Sequence, residues 1–328
     1  MIRKNTVSKS SLGLYAIESI VSSWNISLKQ TCPEIPISGS PQRTSYRLVI
    51  EDVQGYKYVL ERISINKYNH KNRIAQTLHF LSTQNISGIT PYLPNEQGKY
   101  ITKYENSFWQ LIPFIAGEKL NRPSYVFDTW RGRETAHFLI ELWTKSKGVF
   151  NQLNLPFFSL KDYVNDMTNT MVCYNTKEYH QIRSVLKYLK KDFFNHYDQI
   201  PVCFCHGDFH PLNIIWKNDS LISVIDWEFM GEKIEMYDMA NLLGCLGIEE
   251  PTSLVNNFAL EFIKTIKKSN SISKIGFHYL FECMVALRFP WLAEWLKAQD
   301  EEMIQLEIDF LNLICKNRIF INEKWNNI

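Results

Sequence analysis

The chain has 328 residues, of which 45% are hydrophobic and 21% charged, and its formal net charge is +2. This composition is typical of a globular protein long enough for two domains or one two-lobed domain, and it excludes a largely disordered chain. The balanced charge favours neither nucleic acid nor a membrane surface as a partner. The seven cysteines show no Cys-x-x-Cys spacing, and no apolar run reaches the length of a membrane span. We therefore expect a cytoplasmic, thiol-reduced protein without a zinc site; its oligomeric state is left open.

Residues 1–113 predict a small β-rich lobe. Apolar spacing over residues 11–28 predicts a helix, and two β-branched and aromatic runs joined at Gly55 predict a hairpin over residues 44–65. A second helix is expected over residues 69–84, followed by two strands within residues 99–115. The stretch "PFIAG", residues 113–117, then predicts a hinge between two lobes.

Residues 114–328 predict a larger, mostly helical lobe with one two-stranded insert. The fold class is therefore α+β, with a small β-rich N-terminal lobe and a large helical C-terminal lobe. The insert is formed by "NIIW" and "SVID", which end at Asp226. Helices are expected over residues 126–146, 175–197, 236–247, 254–269, 276–298 and 301–317.

Polar side chains are concentrated in "CFCHGDFHPLNIIW", residues 203–216, between short apolar runs. Asp208 and Asn213 have the Asp-x-x-x-x-Asn spacing of the kinase catalytic loop, in which the Asp accepts a hydroxyl proton and the Asn holds Mg²⁺. A hairpin turn at Asn218 and Asp219 would bring Asn213 beside Asp226. A carboxylate, a carboxamide oxygen and phosphate oxygens suit Mg²⁺.

Three blocks, "HGDFHPLNIIW", "VIDWEF" and "YDMANLL", resemble the signature motifs of the aminoglycoside phosphotransferase and choline kinase superfamily, which has a protein-kinase-like fold. The resemblance implies that Asp208 is the catalytic base and that Asn213 and Asp226 are the metal ligands. It also implies that His206 supports the loop and that His210 lies near the transferring phosphate. For His210, a plain surface histidine is an equal alternative.

The resemblance extends to supporting and nucleotide-binding segments. Asp238 resembles the helix-start Asp that accepts hydrogen bonds from the catalytic loop, and Glu228 resembles a further residue near the metal. "ISGSPQRTSYRL", with Ser38, Gly39 and Ser40, is similar to the glycine-containing phosphate loop. "FWQLIPFIAGEKL", with Pro113 and Ile115, is similar to the adenine-binding hinge, so ATP or GTP is the expected co-substrate. The lobe order is most similar to that of N-acetylhexosamine-type sugar kinases.

One element of the kinase pattern is missing. Kinases of this fold pair a strand Lys, which binds the phosphates, with a helix Glu. Here the strand position is Glu61, and the following helix has no Glu between residues 66 and 84. Three explanations remain open: Lys57 or Arg62 reaches the phosphates, Glu61 and Arg73 form a charge-swapped pair, or the protein is catalytically silent.

Together these features predict a Mg²⁺-dependent kinase that transfers the γ-phosphate of ATP or GTP to a hydroxyl of a small molecule. A sugar or amino sugar is the first expected acceptor, followed by an aminoglycoside and then by choline-like or homoserine-type alcohols. A kinase-shaped protein without activity is the alternative. The candidates to line the acceptor site are Trp227, Phe229, Tyr237, Phe289, Trp291, Trp295, Glu282 and Glu294.

Overall fold

The structure is a computed structural model that describes residues 12–37 and 46–328. Within these ranges, five antiparallel strands form the sheet of a small lobe, called the sheet lobe, in the order β1-β2-β3-β5-β4. The predicted hairpin at Gly55, whose φ is +89°, and the predicted pair of later strands are confirmed. The first strand was not predicted, because its sequence LKQT has no apolar alternation. The strands are β1 (Leu28–Thr31), β2 (Tyr46–Asp52), β3 (Lys57–Ile63), β4 (Thr102–Tyr104) and β5 (Ser107–Pro113).

The two faces of the sheet differ in what covers them. Helix α1 (Leu14–Val21) packs its apolar stripe against Leu60 of β3 and Trp109 of β5. Side chains alternate along a strand, so Val59 and Glu61 point to the opposite face, toward the helical lobe. Helix α2 (Tyr68–Thr83) joins the core of that lobe through Ile74, Leu78 and Leu81.

The larger part of the chain forms a mostly helical lobe, as predicted. Helices α5 and α14 were not predicted, and the single helix expected over residues 276–298 is broken into three. One break, at Leu287, follows from Pro290: a proline fits in the first turn of a helix but cannot continue one from Ala286. The helices are α3 (Thr129–Lys145), α4 (Val149–Gln152), α5 (Leu160–Cys173), α6 (Lys177–Lys191), α7 (Phe193–His196), α8 (Tyr237–Glu249), α9 (Asn257–Ser269), α10 (Lys274–His278), α11 (Leu280–Ala286), α12 (Arg288–Ala298), α13 (Glu301–Lys316) and α14 (Arg318–Asn326).

Two small two-stranded sheets interrupt the helical lobe. The predicted hairpin is confirmed: β7 (Ile214–Lys217) pairs with β8 (Ser220–Val224) across a turn at Asn218 and Asp219, both in the left-handed region. A second pair, β6 (Val202–Cys205) with β9 (Gly231–Ile234), was not predicted. The two sheets hold the ends of the loop that follows β6.

The β7–β8 hairpin is hydrogen-bonded on both edges to segments that lie on either side of the predicted hinge, residues 113–117. On one edge, the Val224 N–H donates to the carbonyl of Gly88 at 2.9 Å. On the other edge, the Glu118 N–H donates to the carbonyl of Trp216 at 2.8 Å, and Gly117 lies against Ile215. The hairpin therefore lies where the two lobes meet. Within the described ranges, every helix is too short or too polar to span a bilayer.

Candidate active site

A cleft opens between the sheet lobe and the β7–β8 hairpin. Its walls come from β3, from α2, from the segment Ile112–Ile115 and from the hairpin with the residues after it. The predicted hinge residues Pro113 and Ile115 both line this cleft. Among the described lining residues, the charged ones are Arg47, Glu61, Lys71, Asp226 and Glu228.

Residues 206–226 are called the motif segment. The second residue of this segment is a glycine that the backbone conformation requires. Gly207 has a φ of +85°, in the left-handed region. A Cβ at this position would lie 2.1 Å from the carbonyl oxygen of Phe229. Only glycine therefore allows the chain to turn here between β6 and Asp208.

His206 ties the start of the motif segment to its end. Its Nδ1 accepts the Asp208 N–H at 3.1 Å, so the ring proton is on Nε2, which donates to the carbonyl of Ile225 at 3.0 Å. Burial lowers the pKa of His206 to about 3, so the ring is neutral at neutral pH. His206 acts through the backbone of its neighbours and not as an acid or base.

Asp238, at the start of α8, accepts hydrogen bonds from the backbone of the same loop. Its carboxylate accepts the backbone N–H of His206 at 2.7 Å and that of Gly207 at 2.8 Å. Burial raises the pKa of Asp238 to about 6, against the opposing effect of these two donors. The loop backbone is thus positioned by two buried side chains, those of His206 and Asp238.

Asp208 and Asn213 contact each other directly. Asn213 Nδ2 donates to the Asp208 carbonyl at 2.9 Å and to its carboxylate Oδ2 at 3.2 Å. Both residues are buried. The amide nitrogen makes both bonds, so neither bond uses the Oδ1 oxygen of Asn213.

The hairpin brings Asn213 and Asp226 to the same end. Ile214 pairs with Val224, and the Ile225 N–H donates to the carbonyl of Asn213 at 2.9 Å, so Asp226 is the next residue. Asp226 has a φ of +63°, which a non-glycine residue adopts only when its surroundings enforce it. Asp226 lines the cleft.

These oxygens fit a divalent metal that also binds phosphate. One carboxylate and one amide oxygen are hard ligands that leave most of an octahedron for phosphate oxygens and water. In the described ranges, no group of three or more His, Cys, Asp and Glu side chains is arranged to hold a metal by itself.

His210 lies beside Asp208, toward helix α12. Its Nε2 is 3.7 Å from Asp208 Oδ1, longer than a hydrogen bond, and its ring faces that of Trp291 at 6.4 Å. Trp291 stacks on Trp295 at 6.2 Å. The other aromatic candidates for an acceptor surface differ: Trp227, Tyr237 and Phe289 are buried core residues. The candidate Glu282 accepts a hydrogen bond from the Tyr188 hydroxyl.

The structure also reveals an ion cluster that the sequence did not predict, formed by Glu61, Lys71 and Glu228, with the partly exposed His70 beside it. Lys71 Nζ is 3.2 Å from Glu61 Oε1 and 2.5 Å from Glu228 Oε1, and His70 Nε2 is 3.1 Å from Glu228 Oε2. The partner of Glu61 is therefore Lys71 and not Arg73. The available signal was helical spacing, because Lys71 shares its buried stripe with Ile74 and Leu78.

The other predicted phosphate-binding residues are placed differently. Lys57 pairs with Glu51 at 3.3 Å, and Arg62 lies on the sheet face opposite Glu61. Neither is among the described residues that line the cleft. Ser38, Gly39 and Ser40 lie outside the described residues.

The two-lobed fold and the site at the hairpin define a protein-kinase-like phosphotransferase that acts on hydroxyl groups of small molecules. Residues 35–265 match the model of the "Phosphotransferase enzyme family", and the chain belongs to that family. The predicted superfamily and the predicted fold are thereby confirmed. No curated protein matches the chain.

Solved structures show the same fold at low sequence identity. An amicoumacin kinase in complex with AMP-PNP, Ca²⁺ and Ami has 14% identity and a TM-score of 0.66, covering 94% of this chain and 93% of its own. An aminoglycoside phosphotransferase from Alicyclobacillus acidocaldarius has 15% identity and a TM-score of 0.65, covering 99% and 96%. The GDP and kanamycin complex of an APH(2")-type protein has 17% identity and a TM-score of 0.65, covering 93% and 99%.

Proposed function

We propose that this protein is a Mg²⁺-dependent kinase that transfers the γ-phosphate of ATP or GTP to a hydroxyl of a sugar or amino sugar, either free or within an aminoglycoside. The observation that carries the proposal is the contact of Asp208 with Asn213 at one end of the hairpin. The hydrogen bond from the Ile225 N–H to the Asn213 carbonyl supports it, because Asp226 is the next residue. Structural relatives bound to AMP-PNP or GDP support a nucleotide in the equivalent cleft.

In this proposal the nucleotide base binds to backbone groups of residues 113–115, and its phosphates extend along β3 toward Asp226. Asn213 Oδ1 and the Asp226 carboxylate would hold Mg²⁺, which when bound neutralises phosphate charge. Asp208 accepts the proton of the attacking hydroxyl. The Asn213 amide group orients the Asp208 carboxylate, and His206 and Asp238 keep the loop backbone in place.

An amino sugar fits the acceptor side of Asp208. The stacked pair Trp291 and Trp295 offers aromatic faces next to His210, and Glu294 lies exposed on the same helix. Aromatic faces and carboxylates both attract ammonium groups, and flat rings pack well against sugars. A cytoplasmic location is proposed because all seven cysteines are free thiols.

The test begins with binding of Mg·ATP and Mg·GTP, measured by calorimetry. It continues with a phosphate-transfer screen over sugars, amino sugars, aminoglycosides and amino alcohols. Asp208→Asn is expected to lower the transfer rate about 10³-fold while nucleotide binding persists. Asp219→Asn, at the exposed hairpin turn, is the matched control and should transfer normally.

Two results would contradict the proposal. Transfer that survives Asp208→Asn would remove Asp208 from the role of base. A wild-type protein that binds no Mg·nucleotide at millimolar concentration would instead be a silent, kinase-shaped protein.

A further inference from the structure

The ion cluster reverses the usual order of charges between strand and helix. In kinases the lysine is on β3 and the glutamate on the following helix. Here Glu61 is on β3 and Lys71 is on α2, with their charged atoms 3.2 Å apart. Both side chains are almost fully buried, and both line the cleft.

The second carboxylate, Glu228, ties Lys71 to the metal end of the site. Glu228 is two residues after Asp226 and contacts Lys71 Nζ at 2.5 Å. Lys71 thereby bridges the sheet lobe and the end of the motif segment. Its ammonium group lies between the carboxylates of Glu61 and Glu228, and all three residues line the cleft.

The ammonium group is charged and has a donor to spare. Burial alone would lower the pKa of Lys71, but the Glu61 and Glu228 carboxylates hold it above its ordinary value. An ammonium group has three N–H donors, and the two carboxylates take two of them. One N–H remains for a phosphate oxygen.

Side-chain length explains why the reversal can work. Lysine is the longer member of the pair, so a lysine on the helix carries its charge across to the sheet, where the shorter glutamate stays near the strand. The ammonium group therefore lies at the cleft even though its backbone is on α2.

Resting on the proposed function, we propose that Lys71 of α2 binds the phosphates of the nucleotide in place of a strand lysine, with Glu61 and Glu228 as its positioning residues. Arg47 is the other cation that lines the cleft among the described residues.

The test uses charge-balanced double variants, because replacing Lys71 alone would leave two buried carboxylates without their cation and could unfold the protein. Glu61→Gln with Lys71→Met removes the pair. Glu61→Lys with Lys71→Glu restores the usual order. Glu141→Gln with Lys145→Met removes a surface pair on α3 and is the matched control. Thermal unfolding verifies that each variant is folded.

The measured quantity is the preference for phosphates, defined as the Kd of adenosine divided by the Kd of Mg·ADP. Loss of the Glu61–Lys71 pair is expected to lower this preference about 10- to 100-fold, the size of a charge-assisted hydrogen bond, while adenosine binding stays unchanged. The exchanged pair and the surface control should keep the wild-type preference. The guanosine series replaces adenosine if the wild type prefers it.

A folded Glu61→Gln, Lys71→Met variant that keeps the preference would overturn the assignment, and so would an equal loss of ADP and adenosine binding. An exchanged pair that folds but has lost the preference would overturn it as well. The proposed function fails by a different result, a wild-type protein that binds neither Mg·ADP nor Mg·GDP.

Discussion

The motif segment and the ion cluster both contribute charges to one cleft, but they position them by different means. In the motif segment each side chain has a specific role that depends on its atoms. Asn213 donates to Asp208 through Nδ2, and His206 uses one ring nitrogen to accept and the other to donate. In the ion cluster the pairing depends on the placement of opposite charges, because the Lys71 ammonium group lies 3.2 Å from the Glu61 carboxylate.

This difference indicates in which region of the site two residues can be exchanged. A hydrogen-bond network with defined donors and acceptors fails when two members are exchanged, because each atom then meets the wrong partner. An ion pair between two elements has no such directionality. The residue that supplies the cation can therefore move from strand to helix while the cleft keeps its charge.

The largest expected effect is the loss of kcat when two residues of the motif segment are exchanged. Asn213→Asp combined with Asp226→Asn keeps the charge of the site, but it removes the amide donor to Asp208 and places a like charge 3.2 Å from its carboxylate. We expect kcat to fall about 100- to 1,000-fold, which corresponds to several kcal/mol. Steady-state kinetics compared with the exchanged Glu61–Lys71 variant measure the contrast directly. Equal activity of the two exchanged proteins would remove the distinction between the regions.

A smaller effect is expected from a glycine substitution in the motif segment, compared with one in a loop of the sheet lobe. Gly207→Ala would bring a Cβ within 2.1 Å of the Phe229 carbonyl oxygen at a φ of +85°, and we expect it to lower the free energy of unfolding by about 3 kcal/mol. Gly98→Ala, at a φ of +74° with no atom within 4 Å, should lower it by only about 1 kcal/mol. Urea unfolding measures both. Similar losses would show that backbone conformation, and not the close contact, determines the result.

The smallest effect concerns pH. The pKa of His206 is about 3 in the folded protein and 6.5 when unperturbed, so only the unfolded chain takes up a proton between these values. The contribution of neutral His206 to the free energy of unfolding is therefore fully present above pH 6.5 and decreases as the pH drops toward 3. Between pH 7 and 5.5 the loss due to His206 should be about 1 kcal/mol.

His206→Gln should remove that part of the pH dependence, whatever its effect on stability at pH 7. His79→Gln, an exposed position on α2, should leave the dependence as in the wild type. The free energy of unfolding, measured at both pH values for the three proteins, gives the slopes. An unchanged slope in His206→Gln would mean that the folded protein protonates this ring.

The motif segment was predictable from sequence because its geometry is local. A two-residue turn, two short strands and a loop of a few residues determine where Asp208, Asn213 and Asp226 lie relative to one another. The same holds for the β2–β3 hairpin. Signals of this kind depend on spacing along the chain, which the sequence displays directly.

Lys71 was not predictable in the same way. Its contact with Glu61 depends on how α2 lies on the sheet, and its contact with Glu228 joins residues 157 positions apart. The chain has 36 Lys and Arg residues, and helical spacing with Ile74 and Leu78 places Lys71 on the buried stripe of α2 without naming its partners. Strand β1 escaped prediction for a related reason, since its pairing with β2 and not its own composition makes it a strand.

The β7–β8 hairpin donates a hydrogen bond to Gly88 and accepts one from Glu118. These two bonds determine what happens when the chain is cut between the lobes. A break after Pro113 would strip one edge of the hairpin and uncover the apolar stripe of α2, so neither fragment would keep its own interior intact. Soluble, folded material is expected only when both fragments are produced together and reassemble by complementation. The region where the two lobes meet is thus a shared folding unit, and a domain boundary placed at residues 113–117 would divide it.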